Sequence, residues 1–379
     1  MDFQLTEEQV LIQNMARQFA EAELAPYSSK WDEEKNLDRS VFRKAADLGF
    51  LGIYTGEEHG GTALSRLDSA IVFEQLAAGD VSHTAMMTIH NMATWMIDRY
   101  GGDIVRAKFV PRLVAGEMIA SYCLTEPGAG SDAASLSTKA VRLGDEYILN
   151  GTKTFISGAA WSDVYVVMAR TSENGARGIS TFVIEKDAEG LSFGANVKKM
   201  GWNAQPTAQV IMEDCRIPAE NRVGEEGDGF KFAMSGLDGG RINIGACSLG
   251  GAKKALDASL QYTKERSQFG KAISEFQNTQ FMLADMATEL EASRMMIYRA
   301  ADMLDKQLPN AGISCAMAKR FATDLCSKIA NDALQLHGGY GYLSEYEIEQ
   351  IVRDLRVHQI LEGTNQIMRM IVSRSLLRQ

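Results

Sequence analysis

From about residue 119 to about residue 217 the chain shows no long helical pattern, and this break limits how it can fold. Tyr147-Ile-Leu, Asn150-Gly151 and Lys153-Thr-Phe-Ile read as two strands joined by a tight type I′ turn. Residues 164–169, 179–184 and 209–212 are further short β runs with turn residues between them. With no helices among the strands, a βαβ parallel sheet is disfavoured and a small antiparallel β domain is expected.

Both flanks read as helix. Thr6 and Gln9 have capping-box spacing before an amphipathic run through Phe19 that breaks near Pro26. Asp38 caps a second helix ending at Gly49, and Ser65 opens a third ending near Gly79. Two more helical runs span about 82–100 and 103–115. After a polar, Gly-containing linker at 217–230, long helices are expected at about 229–265, 274–307, 311–337 and 364–377. Four helices with short joints suggest a bundle. The expected fold is α+β, mainly α: an N-terminal helical domain (1–118), a middle antiparallel β domain (119–225) and a C-terminal four-helix bundle domain (226–379).

The formal charge of −10, from 49 acids and 39 bases, argues against a general nucleic-acid binder. No apolar run approaches membrane-spanning length. The N-terminus carries acids early and no basic region, so it resembles neither a secretory signal nor a transit peptide. That suggests a bacterial cytoplasm, although a processed chain of the mitochondrial matrix would look similar. Five scattered cysteines without a CxxC pair fit buried thiols better than a disulfide or zinc framework. Five histidines without H-x-x-x-H spacing give no metal site.

Several segments carry chemistry. Glu362, in HQILEGTNQIMR, is one acid in a largely apolar, uncharged run, directly before Gly363 and a helix that Thr364 can cap. Apolar surroundings disfavour its charged form and would raise its pKa toward that of a useful base. The alternative is an acid bonding to its own helix N-terminus. The Gly128-Ala-Gly130-Ser131 turn exposes backbone N–H groups beside the hydroxyls of Thr125 and Ser131, which suits a cofactor edge or an anion, or is simply a turn. Lys264, Arg266 and Lys271 surround a break between two helices, a corner suited to pyrophosphate or merely solvated. His337 is either a base or part of a helix C-cap with Gly338 and Gly339. Gly239 and Gly240, beside Arg241, lie in a helical pattern where each costs about 1 kcal/mol, so close packing or a ligand is implied.

Taken together, YCLTEPGAGSD (122–132), FIS (155–157), RSQFGK (266–271), QLHGGYGY (335–342) and ILEGTNQI (360–367) resemble the acyl-CoA dehydrogenases along nearly the whole chain. These are FAD enzymes that introduce an α,β double bond into acyl-CoA thioesters. The resemblance implies the three-part architecture above. It implies flavin contacts from Tyr122, Leu124, Thr125, Gly130, Ser131, Phe155, Ile156 and Ser157, with Phe155 standing where most members carry Trp. Arg266, Gln268, Phe269, Phe276 and Gln277 match positions holding the FAD pyrophosphate and adenosine, partly across a subunit interface. Gln335, Leu336, His337, Gly338 and Gly339 match the adenosine-side loop, and Thr364, Asn365 and Gln366 match further FAD contacts.

By the same resemblance Glu362 is the catalytic base, taking the α-proton while the β-hydrogen passes as hydride to the flavin. The thioester carbonyl would be polarised by the base's own backbone N–H and a ribityl hydroxyl. Asp238, Gly239, Gly240 and Arg241 match the segment beside the thioester, Ser131 also reaches the pantetheine, and Arg374 matches a further substrate position. A branch of the family carries its base just before the equivalent of Arg241. Here that residue is Gly240, which cannot act. WNAQPT (202–207), GGRINI (239–244), HGGYGYL and RVHQILEG are similar to members that convert isobutyryl-CoA to methacrylyl-CoA in valine degradation. A homotetramer passing electrons to electron-transferring flavoprotein is implied. The alternatives are a 2-methylbutyryl-CoA or short straight-chain dehydrogenase, an oxidase-like relative, or a catalytically idle FAD- and acyl-CoA-binding assembly protein.

Overall fold

The computed structural model describes residues 4–378. Six helices come first: α1 (Glu7–Phe19), α2 (Ser28–Glu34), α3 (Arg39–Asp47), α4 (Arg66–Gly79), α5 (Val81–Tyr100) and α6 (Asp103–Val114). The expected caps are present. Thr6 and Gln9 form a reciprocal box, Asp38 accepts from Ser40 N, and Ser65 pairs reciprocally with Asp68. The break expected near Pro26 is instead a helical continuation. A π turn (Ala20–Leu24) and a 3-10 turn (Ala25–Tyr27) lead into α2, and the proline sits at a turn start where no N–H donor is needed.

The middle strands are β1 (Ala120–Cys123), β2 (Lys139–Leu143), β3 (Glu146–Ser157), β4 (Val164–Arg170), β5 (Ile179–Glu185), β6 (Leu191–Phe193), β7 (Thr207–Pro218) and β8 (Arg222–Val223). They form one sheet in the order β6-β7-β3-β2-β4-β5-β8, with β1 also against β4. Most pairs are antiparallel as expected, but β1 runs parallel to β4 and β2 meets β4 in parallel at Lys139↔Arg170. The β2–β3 hairpin is inserted between β1 and β4, and a connection of that length permits parallel pairing without a crossover helix.

Two readings of turns need correction. Asn150-Gly151 is not a hairpin turn, because β3 runs straight through it and the facing strand β7 bulges there, with Glu213 and Asp214 opposite the single Asn150. The Asn150 amide donates to Asp214 Oδ1 (3.0 Å) and its oxygen accepts from Asp214 N (2.8 Å), which holds the extra residue. The two-residue turn is Gly144-Asp145, between the paired Leu143 and Glu146. The stretch 217–230 is not all linker either: Arg222–Val223 adds an edge strand on β5.

The remaining elements are α7 (Gly229–Glu265), a β9 (Ser267–Gln268) and β10 (Lys271–Ala272) hairpin, α8 (Gln277–Asp305), α9 (Ala311–His337), α10 (Ile348–Arg356) and α11 (Asn365–Leu376). The short α10 was not anticipated. It buries Ile348, Ile351 and Leu355 on one face. One core runs through α1, α4, α7, α8, α9 and α10 and takes in Trp202 and Ala204, so the two helical regions share their interior. A second core joins α5, α6 and Phe232 of α7 to one face of the sheet, and a third lies on its other face. All five cysteines are buried and unpaired. Among the described residues no helix is long and apolar enough to cross a membrane, and no group of His, Cys, Asp and Glu is placed to hold a metal.

Candidate active site

Glu362 sits on a tight turn between a 3-10 turn (Val357–Gln359) and α11, with φ 56°, next to Gly363 at φ 86°. A left-handed conformation costs a non-glycine residue about 1–2 kcal/mol and persists where neighbours impose it. Two buried cations do so. Lys319 Nζ on α9 donates to Gly363 O and to Asn365 Oδ1, both at 2.9 Å. Arg241 Nε on α7 makes a long bond to Glu362 O (3.4 Å), while its Nη1 pairs with Asp238 Oδ1 (2.5 Å). Thr364 caps α11 by accepting from Ile367 N, as its position predicted.

The carboxyl itself is held without partners. Glu362 Oε2 is fully buried and has no hydrogen-bond partner among the described residues. It faces Gly240: a Cβ there would lie 2.5 Å from Oε2. The helix-terminus alternative therefore fails, and the mid-helix glycine is explained by close approach. Burial raises the Glu362 pKa to about 7, against the opposing pull of Arg241 and Lys319. Burial lowers Lys319 to about 8, with Glu362 opposing. Only the ionised carboxylate can accept a proton, so the rate of flavin reduction should climb as pH rises through about 7 and level off above it. Rapid-mixing reduction rates measured from pH 5.5 to 9 test this, and a flat profile would contradict it.

Two further groups near Glu362 are free of partners among the described residues. The Tyr122 hydroxyl, brought in by β1, is buried without a partner and lies within electrostatic reach of Glu362 and Arg241. The Glu362 backbone N–H makes no hydrogen bond to any described residue, which leaves it for an incoming carbonyl.

Behind the sheet, an anchor not foreseen from the sequence holds the loop after β1. Glu126 is 4 % exposed and accepts from Lys153 Nζ (2.7 Å), Ser137 N (2.6 Å) and Thr138 N (3.0 Å). Burial alone would raise this carboxyl, but Lys153 and the N–H donors hold it down at about 2. Lys153 Nζ also binds Leu124 O, and Thr154 N binds Thr125 O. The loop is thus fixed at its base, while Gly128 and Gly130 face open space and Gly130 and Ser131 are exposed. A bulge in β3 itself, between Lys153 and Ile156, puts Phe155 at φ 57° with its ring 70 % exposed. Leu124 and Ile156 point into the cores, so they meet a ligand only through backbone. Ser157 O accepts from Ser121 Oγ.

The second cluster lies at the far end of α7. Arg266, Gln268 and residues 335–339, separated widely in sequence, line one pocket of about 420 Å³ with Tyr262, Ile273 and Tyr340. Arg266 lies over the Tyr340 ring (5.4 Å). His337 stacks on Tyr262, and its Nδ1 bonds Ala333 O at 2.8 Å. Burial lowers its pKa, which favours the neutral ring. Phe269, at φ 54° on the tip of the β9–β10 hairpin, is 94 % exposed, with Phe276 edge-on to it just before Gln277 opens α8.

Three expected contacts stand apart. The Asn365 side chain is enclosed by Lys319, Thr323, Arg320 O and Asp324 and pins α11 to α9. Gln366 is exposed. Arg374 is exposed in the last turn of α11, about 13 Å along the helix from its start.

An exposed aromatic ring at a forced backbone bend, a pinned loop with open glycines, an unpartnered tyrosine hydroxyl and a separate cationic pocket fit a flavin dinucleotide. The models for the acyl-CoA dehydrogenase N-terminal, middle and C-terminal domains match residues 6–117, 121–215 and 227–377. The chain belongs to the acyl-CoA dehydrogenase family. Among its relatives, the mitochondrial isobutyryl-CoA dehydrogenase of Dictyostelium discoideum is 56% identical over 98% of this chain and 90% of that protein. Butyryl-CoA dehydrogenase from Megasphaera elsdenii superposes with a TM-score of 0.97 at 37% identity, covering 100% of both chains. A chain from structural work on the electron transferring flavoprotein of Acidaminococcus fermentans superposes at 0.98 with 43% identity, again covering 100% of both.

Proposed function

We propose that the protein dehydrogenates short branched-chain acyl-CoA, with isobutyryl-CoA as substrate and methacrylyl-CoA as product, in valine degradation. The observation that carries the chemistry is the buried, unpartnered Glu362 carboxyl facing Gly240. The identity to the Dictyostelium enzyme supports the substrate. FAD, when bound, accepts the β-hydrogen as hydride. Glu362 takes the α-proton. Its backbone N–H donates to the thioester carbonyl and so acidifies the α-carbon. Arg241 and Lys319 hold the turn and keep the carboxyl titrating near neutrality. The pinned loop at Thr125, Gly130 and Ser131, together with Phe155, faces the flavin, and Asp238 to Arg241 border the thioester.

The adenosine half of the cofactor requires a second copy. Arg241 lies on the unbroken α7 and Arg266 directly follows the helix's last residue, 25 positions on and about 37 Å along the axis. That separation exceeds the reach of one dinucleotide. The pocket at Arg266 therefore serves the cofactor of a neighbouring protomer, and the exposed Phe269 is covered there. The assembly is a homotetramer, and it passes electrons to electron-transferring flavoprotein. Its compartment is a bacterial cytoplasm, or the mitochondrial matrix for a processed eukaryotic chain.

An acyl-CoA panel tests the substrate. The kcat/KM for isobutyryl-CoA should exceed that for butyryl-, 2-methylbutyryl- and isovaleryl-CoA, by about tenfold for each misplaced methyl group. A higher value for 2-methylbutyryl-CoA would move the assignment to that substrate.

A further inference from the structure

Arg66 occupies the first turn of α4 and is 6 % exposed, yet among the described residues it has no carboxylate partner and its Nη1 makes no hydrogen bond. The guanidinium lies instead over the Tyr54 ring (3.5 Å) and the Trp95 ring (4.6 Å). Its surroundings are fixed. Asp305 on α8 accepts the backbone N–H groups of Arg66 (2.8 Å) and Leu67 (3.1 Å), and Asn243 donates to the Tyr54 hydroxyl (3.1 Å).

On its α7 side Arg66 meets Gly239, where a Cβ would lie 2.5 Å from Nη1. The next residue, Gly240, faces Glu362. Adjacent glycines thus bring α7 against both the guanidinium and the base. Tyr54, in contact with Arg66, also lies within electrostatic reach of Glu362. A buried cation without an ion-pair contact is costly, and the two ring faces offset only part of that cost. Leucine would fill an apolar cavity without that cost. What the stacked cation adds is a barrier that methylene groups neither solvate nor displace without breaking both ring contacts.

We propose that Arg66, clamped between Tyr54 and Trp95, closes the acyl pocket behind Glu362 and limits the length of the acyl chain. This rests on the acyl-CoA reading above. An acyl group whose α-carbon meets Glu362 has its tail beside the bare backbone of Gly239 and Gly240. A short branched group fills the width there, whereas a longer straight chain meets the guanidinium.

The test is a ratio, so a general loss of activity cancels. In Arg66→Ala the kcat/KM for hexanoyl-CoA relative to isobutyryl-CoA should rise by about tenfold or more. Arg66→Met, which keeps most of the length without the charge, should shift the ratio less. A parallel fall with both substrates would show Arg66 to be only structural and overturn the proposal. Should Arg66→Ala not fold, the wild type decides. A steep fall in kcat/KM from four to eight carbons supports the barrier, and octanoyl-CoA turned over as well as isobutyryl-CoA overturns it. A wild type reduced by no acyl-CoA would instead overturn the functional reading on which the barrier depends.

Discussion

Glu362→Gln should retain FAD and bind acyl-CoA normally, yet reduce its flavin at least about 10³-fold more slowly than the wild type. The substitution keeps the side chain's shape and the grip of Lys319 and Arg241 on the flanking peptide groups, because both bonds go to backbone oxygens. Only the proton acceptor is lost. The fall should therefore appear in kcat with KM nearly unchanged, the signature of an interaction made in the transition state. Among the described residues no other carboxylate stands ready to substitute. Asp238 is tied to Arg241, and the family's alternative position is Gly240. Single-turnover reduction of the FAD-loaded variant checks the result, and turnover near the wild-type rate would remove Glu362 from the role of base.

Gly240→Ala should separate activity from stability. The new methyl group would lie 2.5 Å from Glu362 Oε2 and 2.8 Å from its Cδ. Those atoms are the far end of a side chain, so they can swing aside at little cost to folding. Alanine also gains about 1 kcal/mol of helix propensity over glycine. The thermal midpoint should hold or rise. The carboxyl, however, is displaced by about 1 Å on a turn that cannot follow it, and a misplacement of that size costs about 10²-fold in rate. Thermal unfolding and rapid-mixing reduction on one preparation test both halves. A variant that reduces its flavin at the wild-type rate would show that the carboxyl does not work from this position.

The sequence was most informative where local chemistry decides structure. The caps at Thr6, Asp38, Ser65 and Thr364 are each set by one side chain and the next few residues, and each is present. Glu362 was legible because an isolated acid in an apolar run, followed by glycine, has few explanations. The failures share a different cause. Asn150-Gly151 has the composition of a hairpin turn, but β7 pairs before and after it and holds it extended, taking up the bulge itself at Glu213 and Asp214. The parallel pairing of β1 with β4 depends on contacts across more than 40 residues. Lys319, Arg66 and Glu126 carry no local signal in their own segments and drew no reading from the sequence. Their roles arise only when other elements bury them, against Gly363, Gly239 and Lys153 in turn.

The protein loaded with FAD should be mixed anaerobically with isobutyryl-CoA while the flavin absorbance is followed. Rapid bleaching in the wild type, with the oxidised spectrum persisting in Glu362→Gln, is the predicted result. A wild-type flavin that stays oxidised with isobutyryl-CoA, or a variant that bleaches as quickly as the wild type, would contradict the claim that Glu362 opens the reaction by taking the α-proton of this thioester.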